Sequence, residues 1–263
     1  MRFNILFITQ DDPFYVQLFF EAFFKAYGRL DDVKGVVIAQ AMGKKNAFQL
    51  ARQMYCFYGP VDFLRMGLKY AFYKLITHAP AFFLKNRSYS LTQLCRRHDV
   101  AVIHEDNING DAFRRKIKEK DLDLIISVAA PIIFKTDLIR IPKHGCINIH
   151  SGKLPKYRGM LPNFWQMFHG EKSVGVTIHE INPGIDDGRI ILQKDVPIAK
   201  NESLESLIKR TKRIGAQVMI EAIDLIQSGN VVYQENPVSD GSYFSFPTRK
   251  DVVEFKRRGG RIM

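Results

Sequence analysis

Asn148 and His150 close the apolar run Gly145-Cys146-Ile147-Asn148-Ile149-His150, and they are the pair in this sequence best suited to chemistry. In an extended segment, residues two apart share a face, so an amide and an imidazole stand together. Such a pair can hydrogen-bond an oxygen that is gaining charge and can move a proton. Asp186, in a loop opened by Pro183-Gly184, supplies a carboxylate that can orient the imidazole or balance its charge. Taken singly, Asn148 also reads as a strand-end turn former, His150 as a core histidine, and Asp186 or Asp187 as a turn acid. His179, inside a strand pattern, reads as structural, and Asp187 as a turn residue.

Other chemistries lack their residues. Thr9-Gln10-Asp11-Asp12 follows the first strand where a phosphate-binding glycine loop would stand, and its two acids would repel a phosphate. There is no Gly-x-Ser-x-Gly elbow and no active-site cysteine signature. Cys56, Cys95 and Cys146 have no ligand-type spacing, and the histidines lack a helical metal pattern, so no disulfide framework and no metal is expected.

The elements that must position these groups are short apolar strands alternating with helices. Strands are expected over 3–9, 35–39, 100–104, 122–128 and 145–150, with helices over 14–27, 111–120 and 133–139 between them. Asp12 and Pro13 form an N-cap and first-turn pair for the first helix. Strands are also read at 173–180 and 189–197, a long helix at 204–227, and a short helix near 251–257 in a polar tail. This pattern predicts an α/β, doubly wound, Rossmann-like and mostly parallel sheet with a small C-terminal extension. Ligands of such sheets bind beyond the carboxyl ends of the strands, where Asn148 and His150 fall. The expected organisation is a catalytic domain over 1–200, with a helical basic and aromatic insert at about 51–97, and a C-terminal helix and tail over 201–263 packed on the same domain.

Beyond the Asn-x-His pair, the chain carries Leu154-Pro155-Lys156-Tyr157-Arg158-Gly159, Gly170-Glu171, Gly175-Val176-Thr177-Ile178-His179 and Ile185-Asp186-Asp187-Gly188-Arg189-Ile190. From Asp121 to Pro197 the sequence closely resembles the 10-formyltetrahydrofolate-dependent formyltransferase family, and the flanking core does so more loosely. The resemblance implies an enzyme that takes a formyl group from N10-formyltetrahydrofolate. It implies that Asn148 and protonated His150 polarise the formyl oxygen, and that Asp186 fixes the histidine and assists proton removal from the attacking amine. It also places the pterin of the donor against Pro131-Ile132-Ile133-Phe134 and the main chain of Ile181-Asn182-Pro183-Gly184. The family pattern His-x-Ser-Leu-Leu-Pro is broken here, because His150-Ser151-Gly152-Lys153-Leu154-Pro155 displaces the serine and substitutes a lysine for a leucine. Lys153, Tyr157 and Arg158 are the expected substrate contacts, with Arg158 suited to a phosphate.

The 263-residue chain has a formal charge of +12, and two segments carry nearly all of it. Residues 51–97 hold eight basic residues against Asp62, and residues 249–263 hold six against Asp251 and Glu254. Both segments are expected to face something anionic or to form a solvated basic face. Segment 55–83 adds nine aromatics, so the insert can serve as a peripheral membrane contact, a lid or a homodimer surface. Among acceptors, a nucleotide-linked amino sugar is the expected partner. The tRNA enzymes of the family carry an appended β-barrel, for which the 35 residues after Ser228 are too few, and no stable nucleic-acid complex is expected. The purine-pathway enzymes place a small Gly/Ser/Asn loop after the first strand, where this chain has Gln10-Asp11-Asp12-Pro13. Ser242–Arg249 is read either as a nucleotide contact or as a docked strand. No run reaches the length of a membrane span, the N-terminal run is too short for a signal peptide, and a cytoplasmic location is expected. A different class of function, a catalytically silent module binding a membrane surface or nucleic acid, predicts salt-sensitive binding and no folate affinity.

Overall fold

Uninterrupted aliphatic runs become strands because both faces of the sheet they enter are covered. The computed structural model describes residues 3–12, 14–40, 47–77 and 88–263; Pro13 of the expected cap pair and residues 78–87 of the basic insert lie outside them. The strands are β1 (Ile5–Thr9), β2 (Val33–Ala39), β3 (Val102–Glu105), β4 (Leu124–Val128), β5 (Cys146–His150), β6 (Arg158–Gly159), β7 (Ser173–Glu180), β8 (Ile190–Pro197) and β9 (Tyr243–Phe244). The helices are α1 (Val16–Ala26), α2 (Ala47–Tyr58), α3 (Pro60–Thr77), α4 (Leu91–Arg97), α5 (Asp111–Lys118), α6 (Thr136–Ile139), α7 (Pro162–Phe168), α8 (Leu204–Ser228) and α9 (Arg249–Arg257).

Seven strands form one sheet in the order β3-β2-β1-β4-β5-β7-β8. The first five are parallel, and β7 and β8 run antiparallel. One face packs against α1, α4 and α8 through residues such as Phe7, Phe19, Phe23, Ile149 and Ala216. The other packs against α5 and α6 through Leu6, Ile8, Phe113, Ile117 and Leu138. A third cluster joins α2, α7 and α9 through Phe57, Phe164, Trp165, Val252 and Phe255, so the tail is buried beside the carboxyl end of β5.

Local chemistry explains the element ends. Asp12 Oδ1 accepts the main-chain N–H groups of Phe14 and Tyr15 at 2.7 and 3.2 Å, turning the chain into α1. Ser203 caps α8, and Gly229, in the left-handed region, ends it. At Gly215, α8 lies so close to β5 that a Cβ would stand 2.4 Å from Ile149 Cδ1.

The helix expected over 133–139 begins only at Thr136. Asn109 explains the shortening: its Nδ2 donates to the Ile133 carbonyl at 3.0 Å and its Oδ1 accepts the Lys135 N–H at 2.8 Å, which holds 133–135 out of helix. Helix α7 and the pairing of β6 with β9 have no counterpart in the expected elements other than the docked-strand reading of 242–249. Both are held by contacts between segments about eighty residues apart, such as Trp165 Nε1 donating to the Ser245 carbonyl at 3.0 Å.

Candidate active site

Strand β5 lies between β4 and β7, and its register sets Asn148 beside Ser127 on one side and His179 on the other. His179 donates Nδ1–H to the Glu180 carbonyl at 2.7 Å, which leaves its Nε2 as an acceptor. That lone pair faces Asn148 Nδ2 at 3.1 Å, so the amide is oriented with one N–H committed and the other without a partner among the described residues. His179, expected as a structural residue, therefore sets which way Asn148 points.

His150 is 6% exposed. Its Nε2 stands 2.8 Å from the Tyr157 carbonyl, to which it donates, and its Nδ1 stands 3.4 Å from Asp186 Oδ2. No neutral tautomer satisfies both contacts, since one nitrogen would then present a lone pair to an oxygen. Burial nevertheless pushes the imidazole below its ordinary pKa of 6.5, against the pull of the Asp186 charge and the Tyr157 carbonyl. For Asp186, burial acts to raise the carboxyl, but the charge of His150 and the Gly159 N–H outweigh it and hold the group well below the usual carboxylate range. Asp186 is thus ionised beside an imidazole that burial biases toward its neutral form.

The Asp186 loop is braced from several directions. Its backbone is left-handed at φ 51°, and Oδ2 accepts the Gly159 N–H at 2.9 Å. Asn236 Nδ2 donates to the carbonyls of Asp186 and Gly188 at 3.0 and 2.8 Å. Gly188 has no alternative at its position, because a Cβ would meet the Glu180 carbonyl oxygen at 1.9 Å.

Around these groups a cavity of about 420 Å³ opens beyond the carboxyl ends of β4 and β5. Asn148, His179 and Asp186 line it, together with Pro131, Ile132, Ile133 and Phe134 on one wall and Ile181, Asn182 and Gly184 on the other. Pro183 is not among the lining residues, and neither is His150, which stands behind Asp186. Met160, Tyr243 and Asp187 complete the wall. Asp187, read from sequence as a turn acid, has a buried Oδ1 with no hydrogen-bond partner among the described residues. A flat heterocycle fits this set: apolar faces to cover its rings and an orphaned carboxylate oxygen to accept an N–H from its edge.

The three expected substrate contacts lie elsewhere. Lys153 Nζ reaches Ser173 Oγ at 2.8 Å and Asp195 Oδ1 at 3.3 Å, on the β7–β8 side. Tyr157 offers its carbonyl to His150, while its ring stacks on Phe244 and its hydroxyl donates to Glu171 at 2.8 Å. Arg158 is buried, and its Nη2 donates to the carbonyl and side-chain oxygens of Asn236 at 2.9 and 3.2 Å. None of the three side chains lines the cavity, and Arg158 instead anchors the residue that braces Asp186. A second charged pair stands on the α8 side of His150: burial pushes Lys212 down and Asp12 up, each opposed by the other's charge.

The formyl transferase family model matches residues 80–223. The chain is 40% identical over 130 residues to the methionyl-tRNA formyltransferase of Thermodesulfovibrio yellowstonii, covering 49% of this chain and 42% of that protein. It is 33% identical over 165 residues to that of Geobacter sulfurreducens, covering 62% and 52%. The chain thus spans about half the length of the curated relatives it matches. Among solved structures, glycinamide ribonucleotide transformylase 1 from Symbiobacterium toebii superposes with a TM-score of 0.60 at 18% identity, over 89% of this chain and 92% of that one. A sugar N-formyltransferase from a Shewanella species superposes with a TM-score of 0.56 at 19% identity, over 93% and 77%. At these identities the superpositions establish a shared fold.

Proposed function

Because this chain belongs to the formyl transferase family, we propose that it moves a formyl group from N10-formyltetrahydrofolate to a primary amine. The observation that carries this reading is that Asn148 and Asp186, with His150 against Asp186, meet at a cavity walled by 131–134 and by Ile181, Asn182 and Gly184. The donor supplies the activated formyl carbon. The amine nitrogen adds to the formyl carbon and the C–N10 bond breaks, while the remaining N–H of Asn148 donates to the formyl oxygen. The His150–Asp186 pair accepts the proton the amine loses, the resulting imidazolium satisfying both of its contacts, and a proton returns to N10 as tetrahydrofolate leaves. For His150 itself to donate to the formyl oxygen, its Nε2–H must leave the Tyr157 carbonyl, and Gly152 leaves space for this, since a Cβ there would stand 2.6 Å from Nε2.

For the acceptor we propose a nucleotide-linked amino sugar, on the support of the chain's +12 charge, which suits an anionic substrate. Methionyl-tRNA is a competing reading, favoured by the 40% identity to a methionyl-tRNA formyltransferase. Release of tetrahydrofolate with a panel of nucleotide amino sugars, methionyl-tRNA and glycinamide ribonucleotide tests both readings. Turnover with a nucleotide sugar alone supports the first and turnover with methionyl-tRNA alone replaces it. An absence of folate binding removes the formyltransferase reading.

A further inference from the structure

Helix α3 carries an apolar stripe on its outer side. Val61, Leu64, Leu68, Phe72 and Leu75 follow spacings of three and four residues, which place them on one face of a 3.6-residue helix. They are 61, 63, 64, 54 and 77% exposed. The opposite face docks α3 on the body of the protein. Met66 is buried, Lys69 Nζ pairs with Glu205 at 3.2 Å, and Tyr73 packs edge-on against Phe14. The outward orientation of the stripe is therefore fixed by packing on the inner side.

A monomeric soluble protein seldom leaves such a continuous apolar row in water, and its presence marks a surface that meets something. The flanking charges identify the partner. On a helical wheel, exposed Arg65 borders the stripe on one side, and on the other exposed Lys74 stands beyond the small residues Gly67 and Ala71. This is the arrangement in which long basic side chains reach up to headgroups while the apolar face lies among acyl chains. Asp62, the acid of α3, is paired with Arg65 at 3.2 Å. Among the described residues no helix is long and apolar enough to cross a membrane, which suits a helix lying along a surface. A second copy docking through the same stripe would set Arg65 and Lys74 against their own kind.

We infer that the outer face of α3 is a docking surface for an anionic lipid bilayer, on which the helix lies parallel to the membrane plane. This inference rests on the exposed face and its charges and is independent of the proposed reaction.

Flotation of the purified full chain with phosphatidylcholine vesicles, with and without phosphatidylglycerol, tests it. The chain floats with the anionic vesicles, and added salt weakens the association. L64E/L68E lowers binding at least tenfold while circular dichroism and the urea unfolding midpoint stay unchanged. R65E/K74E, which leaves the apolar row intact, removes the preference for anionic vesicles and controls for misfolding of the first variant. Absence of binding by the unmodified chain, or binding by both variants equal to that of the unmodified chain, overturns the inference. So does a dimer in light scattering that L64E/L68E dissociates, which would assign the stripe to a second copy.

Discussion

Asn148 has one amide N–H held by His179 and one left over, so Asn148→Ala removes a donor without removing packing from the core. A fall of about 10²–10³ in kcat is expected, since loss of one preorganised oxyanion donor typically costs that much. His150→Ala should act similarly, with urea unfolding midpoints close to those of the parent chain. Near-parent turnover in either variant would remove that residue from the chemistry. The Asp186 carboxylate opposes the burial that depresses His150. Asp186→Asn removes a negative charge that favours the imidazolium, so the His150 pKa should move further down. An NMR titration of the ring reads this directly, and an unmoved or raised pKa would break the proposed coupling. Asn148, His150 and Asp186 were legible because each is an uncommon residue type at a fixed offset. The role of His179 was not, because it depends on the carbonyl of Glu180, and backbone atoms leave no trace in residue identity.

At the scale of elements, the site is held by contacts that local patterns cannot announce. Asn236 lies fifty residues beyond Asp186 and seventy-eight beyond Arg158, yet it joins the two. In sequence Asn236 is an ordinary loop residue before a proline, and Arg158 looked like a substrate contact because nothing nearby reveals the acceptor that burial gives it. Asn236→Ala leaves the carbonyls of Asp186 and Gly188 without their donor and removes one of the two acceptors of Arg158, whose bond to the main-chain carbonyl of residue 236 remains. A loss of about 1–3 kcal/mol is expected from unsatisfied buried groups, read by urea unfolding, together with a fall in kcat larger than any change in the donor's KM. The strands and α8 were legible because apolar period and length specify them. The close approach of α8 at Gly215 was not, although it is testable: Gly215→Leu should overpack Ile149 and cost about 1–3 kcal/mol. An undiminished unfolding midpoint would show that α8 can move away from β5 at little cost.

Over the whole molecule, the mostly parallel sheet and the cavity beyond the carboxyl ends of β4 and β5 follow the expected layout, while the strand order and the antiparallel pairing of β7 and β8 are added by the structure. Acid should weaken the fold through both buried groups of the site. His150 has a depressed pKa when folded, so its contribution is complete above its ordinary 6.5 and is lost as pH falls below that value. Asp186 is also depressed, and its contribution is lost at lower pH, below its ordinary 3.8. Urea midpoints measured from pH 8 to pH 4 should fall for the parent chain, and His150→Ala should flatten the upper part of that curve. Equal slopes in both would mean that His150 titrates alike in the folded and unfolded chains.

Strand β9 and Asn236 give the pairing with β6 a meaning in time. The ribosome makes Asn148, His150 and Asp186 first, but the brace that fixes the Asp186 loop arrives only with residues 236–244, after α8. Closing so long a loop is among the later and slower steps of assembly. The nascent chain thus carries every reactive group before it can use them. A nick between α8 and Asn236 should leave the seven-stranded sheet standing and the Asp186 loop unbraced.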